Sequence, residues 1–254
     1  MIPLRDDVPS RTVPFVNYAF IVLNVLVFLF ELSLGADLDG FFQRAAVIPA
    51  LFTGEGGASG PVTVALNTLD PSLGGRMLAS MFLHGGWMHL LGNMLYLWIF
   101  GDNVEDRMGH GRYIVFYLLC GWAAAYAHVL AGPTSALPAI GASGAIGGVL
   151  GAYVILYPHA KVVTLIPLGI FIQLVSLPAF VLLGFWFVQQ FLIGFLSLGG
   201  AQNEAGGVAW WAHIGGFAAG FLLIWLFQRK DRRPTRRDDW WQTSRYESGP
   251  HRGW

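Results

Sequence analysis

Charge is what this sequence has least of. Only 12% of its 254 residues are Asp, Glu, Lys or Arg, while 55% are hydrophobic; an ordinary soluble domain carries about 25% charged residues. That shortfall excludes a soluble globular fold. Cys120 is the single cysteine, so no disulfide can form within the chain, and its apolar neighbours make it a packing thiol. The string His-Glu-x-x-His is absent. Zinc catalysis usually needs three protein ligands and an open position; without that string a metal site built from His84, His89, His128 and His213 is a minor alternative, and neither a metal nor any other cofactor is expected. The apolar segments also lack the paired charges that ion and proton pathways commonly use, which argues against a transporter. The formal net charge of zero says little about nucleic acid, because about half of the 15 basic residues crowd into the stretch after Leu226. No nucleic-acid partner is expected. No internal repeat is evident.

In place of charge the chain has long apolar runs. A helix crossing a bilayer needs about 20 mostly apolar residues, and five segments meet that, over 15–34, 87–104, 113–130, 177–198 and 208–227. A sixth, 143–157, is shorter and stops at Pro158. The first run exceeds the 7 to 15 apolar residues of a signal peptide, and Asp6 and Asp7 dilute its positive leader, so it reads as a span. The expected architecture is an all-α, polytopic membrane bundle of six helices with a short central fourth. It divides into a cytoplasmic segment 1–14, one membrane domain 15–227, and a basic tail 228–254 that reads as a disordered anchor near anionic lipid. Six crossings put both termini on one side. Arg5, Arg11, Arg107, Arg112, Lys161 and the tail fall together, leaving Arg44 and Arg76 opposite, so that side is cytoplasmic. The segment 35–86 is too long for a plain connection and mixes apolar pairs with glycine-rich turns.

Polar residues inside the apolar runs are candidates for function by default. Fifteen residues at about 1.5 Å each span roughly 22 Å, against a hydrocarbon core of about 30 Å. The fourth span therefore begins below the external surface, at Ser143 in Gly141-Ala142-Ser143-Gly144. His213 lies five residues into the sixth span, at a similar depth, while His89 and Asn93 stand at i, i+4 near the start of the second. Rows of small residues, Gly144 with Gly148, Gly147 with Gly151, and Ala212 with Gly216 and Gly220, would let the fourth and sixth helices approach closely. A serine nucleophile needs a base and oxyanion donors. His213 suits the first role; the Ser143 N–H at a helix start, His89 and Asn93 suit the second. No carboxylate lies in the spans carrying Ser143 and His213, and Glu204 is in the loop before the latter, so a dyad is predicted.

With His84-Gly-Gly-Trp-Met-His89-Leu-Leu-Gly-Asn93, Gly141-Ala142-Ser143-Gly144 and Ala212-His213-Ile-Gly-Gly216-Phe-Ala-Ala-Gly220, the chain resembles the rhomboid intramembrane serine proteases over the six-span core. The resemblance implies Ser143 as nucleophile, His213 as general base and acid, and His89, Asn93 and the Ser143 N–H around the oxyanion. Gly141, Gly144, His84, Gly216 and Gly220 would support them. It further implies a partly submerged first loop, a fifth span acting as a lateral gate, and single-span membrane proteins in the bilayer as substrates. The expected location is a bacterial cell membrane, with the site opening outside. The alternative is an inactive relative that binds membrane clients. Two departures stand out. Some members carry an aromatic four residues after the nucleophile, against the base, where this chain has Gly147; many carry a Trp-Arg pair in the first loop, where it has Gln43-Arg44.

Overall fold

A computed structural model describes residues 1–54, 59–168, 171–197 and 210–229. Strand β1 (Ile2–Asp6) precedes helix α1 (Phe15–Ser33). A 3-10 turn at Gly35–Asp37 and four short helices follow, α2 (Leu38–Ala45), α3 (Pro49–Thr53), α4 (Pro61–Asn67) and α5 (Pro71–Ser80). Then come α6 (Trp87–Met108), α7 (His110–Ala131) and α8 (Ser143–Leu156), strands β2 (Lys161–Leu168) and β3 (Phe171–Pro178), and helices α9 (Ala179–Ser197) and α10 (Trp210–Phe227). Val208, Glu204 and the tail from 230 onward lie outside the described residues.

Among the described residues four helices, α1, α7, α9 and α10, are long and apolar enough to cross a membrane. Helix α6 has 22 residues but a more polar sequence, and α8 has only 14. The centre belongs to α8. Every residue from Gly144 to Tyr153 is buried, and the helix packs most extensively against α10 and then α7. A helix that is apolar all round belongs in an interior. Outward faces of α1, α9 and α10 expose residues such as Leu26, Phe30, Phe191 and Leu222, a surface suited to lipid.

The fold departs from an all-α reading in one place. Strands β1, β2 and β3 form an antiparallel sheet in that order, pairing Ile2 with Leu165 and Asp6 with Val162, and Lys161 with Pro178 through to Leu168 with Phe171. Residues 161–178 are rich in Val, Ile, Leu and Phe, which suit a pleated surface. Helix α9 therefore begins at Ala179, because Leu177 and Pro178 end β3. Helix α6 also runs past Val104. Its extra turn is polar yet buried because Glu105 caps α1, accepting the N–H groups of Val16 at 3.1 Å and Asn17 at 2.7 Å.

The sheet is tied to the helices through Asp6. Its carboxylate accepts hydrogen bonds from Asn103 Nδ2 at 2.9 Å and from the Tyr153 hydroxyl. Burial pushes the Asp6 carboxyl up from its ordinary 3.8 to about 7; Asp102 and Asp7 add to the shift and the Tyr153 bond opposes it. A carboxyl raised in the folded state contributes stability that is full below about pH 4 and lost as pH rises through about 7. The thermal midpoint of the wild type in detergent is accordingly expected to fall across that window more than that of Asp6→Asn, whose side chain does not titrate. Equal slopes would mean that another group titrates there.

Candidate active site

Helix α8 starts at Ser143, after a connection from the end of α7 at Ala131. The first N–H groups of a helix have no partner within it, and Ser143 supplies one of them beside its hydroxyl. The connection is held by the 35–86 segment. Ala139 and Val47 exchange backbone hydrogen bonds at 2.8 and 3.2 Å, Ala50 N–H reaches Ser135 O at 3.0 Å, and Gly141 N–H reaches Ser80 O at 2.8 Å. The loop of short helices thus holds the connection that leads to the serine. Its own anchor is Arg76 on α5, whose Nη1 donates to Gln43 O at 2.8 Å and Ala46 O at 3.3 Å. A Trp-Arg pair at 43–44 is not needed for that.

Close packing brings His213 to the serine. His213 Nε2 lies 2.7 Å from Ser143 Oγ, although the two residues are on different helices. Glycines make this possible: a Cβ on Gly216 would lie 1.9 Å from Gly144 O, one on Gly220 1.9 Å from Gly148 O, and one on Gly144 2.7 Å from Ala124 Cβ. His89, in the first turn of α6, closes the other side. A Cβ on Gly141 would sit 2.7 Å from His89 Nε2, and Gly141 has φ +129°, where only glycine is at ease. Gly85 N–H donates to His89 Nδ1 at 3.4 Å, which leaves Nε2 as the protonated nitrogen facing the serine.

One turn deeper, Asn93 is 7% exposed and its amide nitrogen is 3.0 Å from His84 Nε2. His84 Nδ1 approaches Phe82 O at 3.3 Å. The consistent assignment has Nδ1–H donating to the carbonyl and Nε2 accepting from Asn93, so a second amide proton of Asn93 remains available. Burial, with His89 nearby, pushes His84 down to about 4, so the ring is neutral. The His84 backbone N–H donates to both Glu31 oxygens at 3.1 and 3.2 Å. Glu31, on α1 and 1% exposed, is a supporting residue that the sequence reading passed over. Its signal was an ionisable group in an apolar run.

Gly147 has a packing reason. A Cβ there would meet His213 O at 3.0 Å and Phe217 N at 3.3 Å, so α8 lies tight against the backbone of α10 at this point. The His213 ring instead lies against Trp186 of α9, centroids 5.8 Å apart, and Trp210 of α10 at 6.2 Å. Gln190 of α9 places its Oε1 2.6 Å from His213 Nδ1. A cavity of about 40 Å³ opens beside the serine, lined by Ser80, Gly121, His128, Gly141, Ser143 and Ala212 among others. That exceeds the roughly 10–15 Å³ one water needs. His128 thus stands at the site although nothing in its sequence neighbourhood points there. Among the described residues, no three His, Cys, Asp or Glu side chains come together to hold a metal ion.

The family model for the Rhomboid domain matches residues 74–230, which contain every one of these side chains except Glu31. The chain belongs to the rhomboid family. RHOMBOID-like protein 4 of Arabidopsis thaliana is 30% identical over 238 residues, covering 83% of this chain and 52% of that protein. Rhomboid protein 1, mitochondrial, of Saccharomyces cerevisiae is 29% identical over 171 residues, 63% of this chain and 44% of the yeast protein. Rhomboid protease GluP of Bacillus subtilis is 43% identical over 77 residues, 30% of this chain and 15% of its own. This rhomboid spans about half the length of the first two relatives. With its apolar helices, family membership makes it a multi-pass membrane protein.

Proposed function

We propose that this rhomboid is an intramembrane serine endopeptidase that cuts single-span membrane proteins through an acyl-enzyme. The observation that supports it most is the 2.7 Å approach of His213 Nε2 to Ser143 Oγ. In this reading α1, α6, α7, α8, α9 and α10 are the six spans, and both termini face the cytoplasm of a bacterial cell. As Ser143 Oγ bonds to the scissile carbonyl carbon, its proton passes to His213 Nε2. The carbonyl electron pair moves to oxygen, where the Ser143 N–H, His89 Nε2–H and Asn93 amide hold the charge. Collapse of this intermediate breaks the C–N bond, and His213 returns the proton to the leaving amine. Water admitted at the cavity then repeats the sequence on the ester, with His213 as base.

A fluorophosphonate probe on the purified protein is expected to label Ser143 in the wild type and nothing in Ser143→Ala, which also loses cleavage of a single-span substrate in liposomes. Membrane proteomes of cells carrying the two forms should differ in shed ectodomains. Client capture by a wild type with no turnover and no labelling would favour the inactive, client-binding alternative. Unchanged cleavage in Ser143→Ala would assign the nucleophile elsewhere.

A further inference from the structure

We infer that Gln190 is a positioning residue for the base, the third member of a Ser143-His213-Gln190 chain, and that α9 supplies it. The inference rests on the reading of His213 as general base. A neutral imidazole carries one N–H. With Gln190 Oε1 at 2.6 Å from Nδ1 and Ser143 Oγ at 2.7 Å from Nε2, the ring is satisfied as the Nδ1–H tautomer, which gives its proton to the amide oxygen and turns a lone pair to the serine. The opposite amide orientation would present an NH2 group to Nδ1. Nε2 would then hold the proton and could accept none from the serine. The orientation of one amide therefore decides whether His213 is a base.

The location explains the choice of residue. Gln190 is 6% exposed and lies in an apolar helix. A carboxylate within a membrane helix costs about 2.5–3.5 kcal/mol on insertion scales, whereas an amide oxygen orients the ring without introducing a net charge. When Nε2 takes the serine proton, the Nδ1–H···O bond becomes charge-assisted and about twice as strong, so it stabilises the imidazolium at the moment it forms. Trp186 stands four residues before Gln190, on the same face of α9, and packs on the same ring. One helix thus supplies both the acceptor and the aromatic wall that Gly147 cannot.

The test uses the full chain in liposomes with a single-span substrate, comparing Gln190→Met, which keeps the bulk and removes the acceptor, with Gln190→Glu, which when ionised has acceptors and no donor. Gln190→Met is expected to lower kcat about 10- to 100-fold with KM within about twofold, as for loss of a hydrogen bond to a charged group. Gln190→Glu is expected to recover most of the rate and to move the acid limb of the kcat profile to higher pH, because a carboxylate favours the imidazolium. Among the described residues, the ionisable side chains that act on His213 are His89 of α6 and His128 of α7, and α9 carries none; both histidines are common to all variants. A purely packing role would depress both variants alike, or lower the thermal midpoint, with no movement of the acid limb, and would overturn the inference. So would wild-type kcat and acid limb in Gln190→Met. Ser143→Ala, run in parallel, separates the two readings: if it is inert while the Gln190 variants match wild type, only the positioning role fails, and if it cleaves normally the protease reading itself fails. Should Gln190→Met not fold, the acid-limb shift of Gln190→Glu decides alone.

Discussion

His213→Ala is expected to lower kcat by about 10⁴-fold or more while the protein stays folded. Serine-hydrolase bases act as a unit with their nucleophile, and their removal typically costs four to six orders of magnitude; 10⁴-fold corresponds to about 5.4 kcal/mol of transition-state stabilisation. The fold should survive because α10 holds its place through backbone contacts at Gly216 and Gly220 with Gly144 and Gly148, not through the His213 ring. Asn93→Ala, by contrast, removes one of the proposed oxyanion donors and should cost about 10²- to 10³-fold. The double variant Ser143→Ala/His213→Ala should be no slower than either single one, because neither group works without the other. Turnover of a single-span substrate, fluorophosphonate labelling rate and thermal midpoint together check this. If His213→Ala keeps more than about a tenth of the rate, another base is at work, and His128 at the wall of the cavity is the one to replace next.

Some of this site is written locally and some is not. Helix α8 begins at Ser143 and ends before Pro158, and both limits follow from neighbouring residues, a serine within Gly141-Ala142-Ser143-Gly144 on one side and a proline on the other. The glycine rows of α8 and α10 are equally local, since a repeat of small residues can only mean close approach. Gln190 is different. It is one of two adjacent glutamines in an apolar run, and Gln189 is exposed while Gln190 is buried. Which of the pair meets His213 depends on the rotation of α9 about its axis, set by packing of Trp186 and Phe187 against Phe217. A single sequence carries no phase for a helix that is apolar on every side.

The sheet and the loop anchors were invisible for a related reason. Strand β1 pairs with residues some 160 positions away, and Arg76 reaches back to Gln43 and Ala46. Neither contact leaves a local period. Glu31 left one trace, a carboxylate in an apolar helix, and its partner is a backbone N–H that no residue-type pattern reveals. The dyad read from the sequence follows from looking for carboxylates. An amide acceptor satisfies the same requirement on Nδ1 and has no such flag.

Gly216→Ala is expected to cost more activity than its single methyl suggests, about 10²-fold in kcat. The new Cβ would lie 1.9 Å from Gly144 O, and real contacts of this kind do not fall below 3.0 Å, so α8 and α10 must part by about 1 Å. The obstacle is a backbone carbonyl, which cannot swing aside as a long side chain would. Overpacking of this kind costs about 1–3 kcal/mol of stability, and a misplacement of about 1 Å at the reacting atoms can cost 10²-fold in rate. At the same separation the 2.7 Å contact of Ser143 with His213 opens beyond hydrogen-bond range. Gly220→Ala meets Gly148 O at the same 1.9 Å, but two turns beyond His213, so it should lower the thermal midpoint as much and the rate less. Gly111→Ala, with nothing within 4 Å of its new methyl, is the control and should change neither. Rate and thermal midpoint of the three variants separate the two effects: if Gly216→Ala matches Gly111→Ala in both, the spacing of α8 and α10 does not set the geometry of the dyad.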